Sequence, residues 1–113
     1  MSRHTKYIQD MLDKLDNGFN HVKSPDEHVT FKRYNLMLCG KLTTMIAVHH
    51  YGTLILTVAY SDALRHVGTN GNSFEIGEFA YSTTDARIIN QVLDKYVPGF
   101  VAHSCKGEVI VDW

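Results

Sequence analysis

Cysteine and proline are scarce in this chain, and it contains no long apolar run. The two cysteines among its 113 residues, Cys39 and Cys105, are too few and too far apart for a disulfide framework. With no Cys-x-x-Cys pair, zinc and thiol redox chemistry lack their usual scaffold. A reduced, cytoplasmic chain is expected, with the thiols packed as small hydrophobes or, if they meet across a sheet, bridged once. No stretch approaches the roughly 18 apolar residues of a membrane span, and residues 1–10 hold no apolar signal core, so neither secretion nor a membrane partner is expected. A dominant charge is missing too. Eleven Lys and Arg against twelve Asp and Glu leave a net charge of −1, which excludes a global positive field for nucleic acid and leaves room only for a local basic patch. Seven histidines soften that balance, since each can add a positive charge as pH falls through about 6.5.

Recognisable catalytic motifs are equally sparse. The glycine-bracketed serine of hydrolases is absent, and nothing places a histidine beside Ser104-Cys105. Gly68 and Gly71 lie in a glycine-containing loop that lacks the Lys-Ser/Thr ending of a phosphate cradle and leads into a strand. His49-His50 offers two imidazoles, but neighbours on a strand point to opposite faces, and no spacing brings His66 or His103 in as a third ligand. Asp62, Glu75 or Glu78 with a histidine would make a proton-handling pair, as in any soluble chain of this size. No cofactor or metal is expected, and an enzymatic role ranks behind binding.

What is present specifies a fold. Apolar residues make up 44% and charged residues 20%, an ordinary globular mixture in a length suited to one domain over 1–113. Tyr7, Ile8, Met11, Leu12 and Leu15 fall on one face of a helix over 4–16, and Asn17-Gly18 ends it. Residues 21–28 read as a polar loop around Ser24-Pro25-Asp26-Glu27, whose side chains have nothing to bury. Runs at 31–34, 36–42, 45–49 and 53–60 are rich in β-branched, aromatic and aliphatic residues and predict successive strands. Gly52 supplies the positive φ of a hairpin turn between the last two. A polar, glycine-rich surface loop covers 61–73, and a strand follows over 74–81 with a bulge expected near Gly77. Ser82, Thr83, Thr84 and Asp85 are suited to open a helix whose buried stripe is Ile88, Ile89, Val92, Leu93 and Tyr96. Pro98-Gly99 stops it, and 100–103 with 109–111 close a hairpin around Lys106-Gly107. The expected class is α+β: an N-terminal helix, an antiparallel sheet of five to six strands, one helix packed on that sheet, and a C-terminal hairpin.

Two tracts stand out, Tyr51-Gly52-Thr53-Leu54-Ile55 and Tyr81-Ser82-Thr83-Thr84-Asp85-Ala86-Arg87, because each joins a turn or cap signal to a hydrophobic element. Together they resemble a small domain often encoded by tailed bacteriophages. In that group an aromatic-x-Thr-x-aliphatic strand is followed by a strand ending Tyr-Ser-x-Thr-Thr and a helix with a basic residue. The resemblance spans 51–96. It departs from the group in the long 61–73 loop and in Ile88, where a histidine often follows the basic residue.

The resemblance implies an accessory protein that occupies a host component, and hence an inhibitor of a bacterial defence complex acting in the host cytoplasm. The expected partner surface is the 61–73 loop, through Asp62, Arg65, His66, Asn70 and Asn72, with the adjoining sheet edge, which also suits self-association into a homodimer. The alternative role is a nucleotide or nucleic-acid binder using Lys32, Arg33, Tyr34, Arg65, Thr84 and Arg87, with Arg87 one turn past the free amides that open the helix. A small hydrolase is the third.

Overall fold

In the computed structural model, residues 3–38, 40–60 and 73–112 are described. The chain opens with helix α1, Arg3–Asp16. Its apolar face buries Ile8, Met11, Leu12 and Leu15 almost completely. The helix ends as the sequence predicts: Gly18 takes a positive φ, its amide donates to the Leu15 carbonyl, and the Phe19 amide donates to that of Lys14.

Five strands form one antiparallel sheet in sequential order: β1 (His21–Lys23), β2 (Val29–Leu38), β3 (Lys41–His50), β4 (Thr53–Tyr60) and β5 (Ser73–Ile76). Helix α2, Thr83–Tyr96, follows, and β6 (Val101–Cys105) pairs with β7 (Glu108–Asp112) as a separate hairpin. This is the expected α+β architecture. One core joins the elements: Val22, Phe31, Val48, Ile55, Leu56 and Val58 of the sheet lie in the same cluster as Ile89, Val92 and Leu93 of α2 and the apolar face of α1.

Several boundaries differ from the sequence reading. Residues 21–23 are a strand rather than loop, because pairing with Thr30–Lys32 satisfies their backbone and Val22 reaches the core. Ser24 is buried and not idle: its hydroxyl donates to Asp26 at 2.5 Å and accepts the Val29 amide at 3.1 Å, so it pins the turn between β1 and β2. The apolar run 36–42 is not one strand. It straddles a turn at Gly40, whose φ of 77° lets β2 and β3 pair over ten residues from Val29↔His50 to Leu38↔Lys41.

The predicted strand over 74–81 stops at Ile76, and the irregularity expected at Gly77 lies instead in the β3–β4 pairing beside Val48 and His49. There Ile55 is the extra residue, and both Ile55 and Leu56 are fully buried. Gly77 is required for another reason: a Cβ added to it would sit 2.0 Å from the Leu54 carbonyl oxygen.

The β6–β7 hairpin is fastened to α2 by a side chain that imitates a strand. The Asn90 amide donates to the Ala102 carbonyl at 2.8 Å, and its oxygen accepts the Ala102 N–H at 2.5 Å. Phe74 of β5 meets Phe100 edge to face at 4.9 Å, and these rings with Val111 and Asp112 border an open groove of about 300 Å³.

Candidate functional site

The two tracts that stand out in the sequence meet in the fold. The first is the tip of the β3–β4 hairpin and the strand leaving it. Tyr51 and Gly52 both have positive φ, 53° and 80°, the pattern of a two-residue turn matched to strand twist. Asparagine or glycine suits the first of these positions, and a tyrosine there carries a backbone cost of about 1–2 kcal/mol. Its ring lies tilted against two imidazoles, at 4.3 Å from His28 and 4.5 Å from His50, and its amide donates to the His28 carbonyl at 2.7 Å.

The second tract is the start of α2. Ser82 is the N-cap, its hydroxyl accepting the Asp85 amide at 3.0 Å. Asp85 returns the bond through Oδ2, which accepts the amides of Ser82 at 3.2 Å and Tyr81 at 3.1 Å. Its other oxygen, Oδ1, lies 2.6 Å from His50 Nδ1. A carboxylate at that distance fixes the tautomer with hydrogen on Nδ1. The pair is buried, His50 at 8% and Asp85 at 2% exposure.

Asp85 is therefore not the solvated helix-start acid that its sequence position suggests. Burial alone would raise its pKa, but the amides of Tyr81 and Ser82 and the His50 ring outweigh this and hold it below the ordinary carboxylate value. A carboxylate orienting an imidazole is also the orienting half of a catalytic triad. Here the pair is walled into the protein and joins hairpin to helix, which suits a strut. Sequence signals for it existed: His50 shares strand parity with Ile46 and Val48, and Ser82-x-x-Asp85 has capping-box spacing.

Around this strut the surface is aromatic. Tyr51 is 66% exposed, Phe79 70% and Tyr81 62%. Tyr51 adjoins His50 and the Tyr81 amide is held by Asp85, so these two residues are attached to one joint, with Phe79 two residues before Tyr81 in the turn that leads into it. Thr83 Oγ1, at 3.1 Å from Ser104 Oγ, ties β6 to the same helix start.

Asp62, Arg65, His66, Asn70 and Asn72 lie outside the described residues, as does Cys39, while Cys105 is a half-buried free thiol. Lys32 and Tyr34 are exposed on the sheet face away from the core, whereas Arg33 between them turns the other way and donates to the Leu15 carbonyl at 2.8 Å. Thr84 is half-buried in the first turn of α2 and Arg87 is exposed one turn on, in a helix that packs against the core face of the sheet while Lys32 lies on the other face. Glu75 and Glu78 are exposed, and His103 faces Asp112 at 3.5 Å on the surface. His49 and His50 diverge as strand alternation requires. Burial and the charge of Lys32 both hold the His49 pKa below its ordinary value. Among the described residues, no three His, Cys, Asp or Glu side chains converge as metal ligands.

No family model, curated protein or solved structure matches the chain.

Proposed function

We propose that this chain acts by binding, as an inhibitor that occupies a bacterial defence complex, and that Tyr51, Phe79 and Tyr81 are the side chains that meet the partner. The phage-type resemblance supplies the kind of partner, and the geometry supplies the surface. Large aromatic side chains dominate the energetics of protein interfaces, because each offers much apolar area for little lost side-chain freedom.

The observation that carries the reading is Tyr51. An exposed tyrosine stands where the backbone favours asparagine or glycine, and strain of this kind collects where a side chain is needed for something other than stability. The buried His50–Asp85 strut supports the reading further, since a preorganised surface loses less entropy on docking.

The test is capture of the partner from bacterial lysate by the tagged wild type, by Tyr51→Asn with Tyr81→Ala, and by a chain with 62–72 replaced by a glycine-serine linker. Losing each hot-spot ring is expected to cost about 2 kcal/mol, roughly 30-fold in affinity. Loss of capture in the tyrosine variant, with its fold intact, is the expected result. Full capture by the tyrosine variant, with loss only in the linker variant, would move the interface to Asp62, Arg65, His66, Asn70 and Asn72.

A further inference from the structure

The five-stranded sheet has two unlike faces. One carries Val29, Phe31, Ile46, Val48 and Val58 into the core. On the other, the register sets His21 of β1 opposite Lys32 of β2, and Lys23 opposite Thr30, whose partner on its other side is His49. Tyr34 follows two residues after Lys32 on the same face, about 7 Å along the strand. His21, Lys23, Lys32 and Tyr34 are all exposed, Tyr34 at 43%.

The charge on these strands is segregated. The chain has twelve carboxylates and a net charge of −1, yet none of the twelve falls within β1, β2, β3 or β4. Arg33 does not contribute, being held on the core side by the Leu15 carbonyl. What remains on the outer face of β1 and the first half of β2 is a strip of lysine and histidine beside an open tyrosine ring, with the exposed Leu36 next along β2.

The geometry points to a surface for single-stranded nucleic acid across the outer face of β1–β3, with Tyr34 stacking a base and Lys23 and Lys32 meeting phosphates. A flat cationic strip free of carboxylates complements a polyanion, and a free aromatic ring beside it fits a strand whose bases are not already paired. Thr30 and His21 complete the strip. The strip reaches its Tyr51 end at the Thr30–His49 pair, while Lys32 and Tyr34 lie further along β2, away from that end.

The experiment is fluorescence anisotropy of a labelled 20-nucleotide oligothymidine against the full chain at 50 mM salt and upward. Binding is expected to weaken with salt, with a log–log slope of about −1.4 for two phosphate contacts on a single strand. Lys32→Glu should flatten that slope by about 0.7. Tyr34→Ala should cost about 5- to 150-fold in affinity with the slope unchanged, while Tyr34→Phe, which keeps the ring, should bind like wild type. Lys106→Glu, on the β6–β7 turn, is the control and should change nothing.

Four results would overturn the proposal. These are no binding by wild type at 50 mM salt, an equal loss in Lys106→Glu, a duplex competing as well as the single strand with Tyr34→Ala unaffected, or a dimer abolished by Tyr34→Ala in a chain that binds no oligonucleotide. Circular dichroism of each variant separates a lost contact from a lost fold.

Discussion

Replacing Asp85 with alanine removes four interactions together: the acceptor for the Tyr81 amide, the acceptor for the Ser82 amide, the partner of His50, and the acidic charge in the first turn of α2. Loss of a cap alone costs about 1 kcal/mol. Breaking a buried, hydrogen-bonded pair from one side costs about 3–5 kcal/mol, because the other partner stays buried with its hydrogen bond unmade. The Asp85 side chain is 4% exposed and that of His50 9%, so the larger range applies. Against a total stability of about 5–15 kcal/mol for a domain of ordinary stability, Asp85→Ala should remove roughly a fifth or more. Equilibrium urea unfolding of wild type, Asp85→Ala, Ser82→Ala, His50→Ala and the His50→Ala/Asp85→Ala double variant measures it. Ser82→Ala should lose about 1 kcal/mol, Asp85→Ala about 3–5, and the cycle should show coupling of at least about 1 kcal/mol between His50 and Asp85. Asp85→Ala no worse than Ser82→Ala, with no coupling, would refute the buried strut and leave only a cap.

Other consequences follow from single contacts. Asp85 has a folded pKa below its ordinary value, so the stability it contributes is complete above its unfolded pKa of about 4 and is lost as pH falls through the folded value. The urea-midpoint gap between wild type and Asp85→Asn should therefore be constant from pH 5 to 7 and begin to narrow as pH falls below about 4; a gap that widens on acidification contradicts this. Gly77→Ala drives a methyl into the Leu54 carbonyl and should cost about 3 kcal/mol, read as a lowered midpoint of thermal unfolding. Asn90→Ala leaves the Ala102 amide and carbonyl without their partner and should cost about 2 kcal/mol, with faster hydrogen exchange at Ala102. Tyr51→Asn relieves the backbone at the hairpin tip and should raise stability by about 0.5–1 kcal/mol while weakening partner capture; a destabilised variant would show that the tyrosine serves the fold.

Elements with strong local signals were legible in the sequence. The face of α1, its Asn17-Gly18 end, the Tyr51-Gly52 and Lys106-Gly107 turns and the buried stripe of α2 each rest on contacts or backbone angles within a few residues. β1 was not legible, because three residues with one apolar side chain acquire strand character only from their partner in β2. The β2–β3 turn was hidden by apolar residues that run through it: Leu36, Met37 and Leu42 are exposed, so their hydrophobicity does not mark the core. The end of β5 was misplaced because Gly77 serves a close backbone approach and not a bulge. At the candidate site, both tracts were visible but their meeting was not, since the His50–Asp85 contact spans 35 residues and no local rule joins them. The separation of Arg33 from Lys32 and Tyr34 follows from strand alternation and could have been read from the sequence.

Tyr51 and Tyr81 form one surface only if the two tracts make one fixed joint. The most direct measurement is the nuclear magnetic resonance spectrum of the His50 ring, recorded in wild type and in Asp85→Asn. A slowly exchanging, downfield proton on Nδ1, present in wild type and shifted upfield in Asp85→Asn, is predicted by the 2.6 Å contact in a buried site. A His50 ring whose Nδ1 proton exchanges freely with water, and whose resonances ignore the Asp85 substitution, would contradict it.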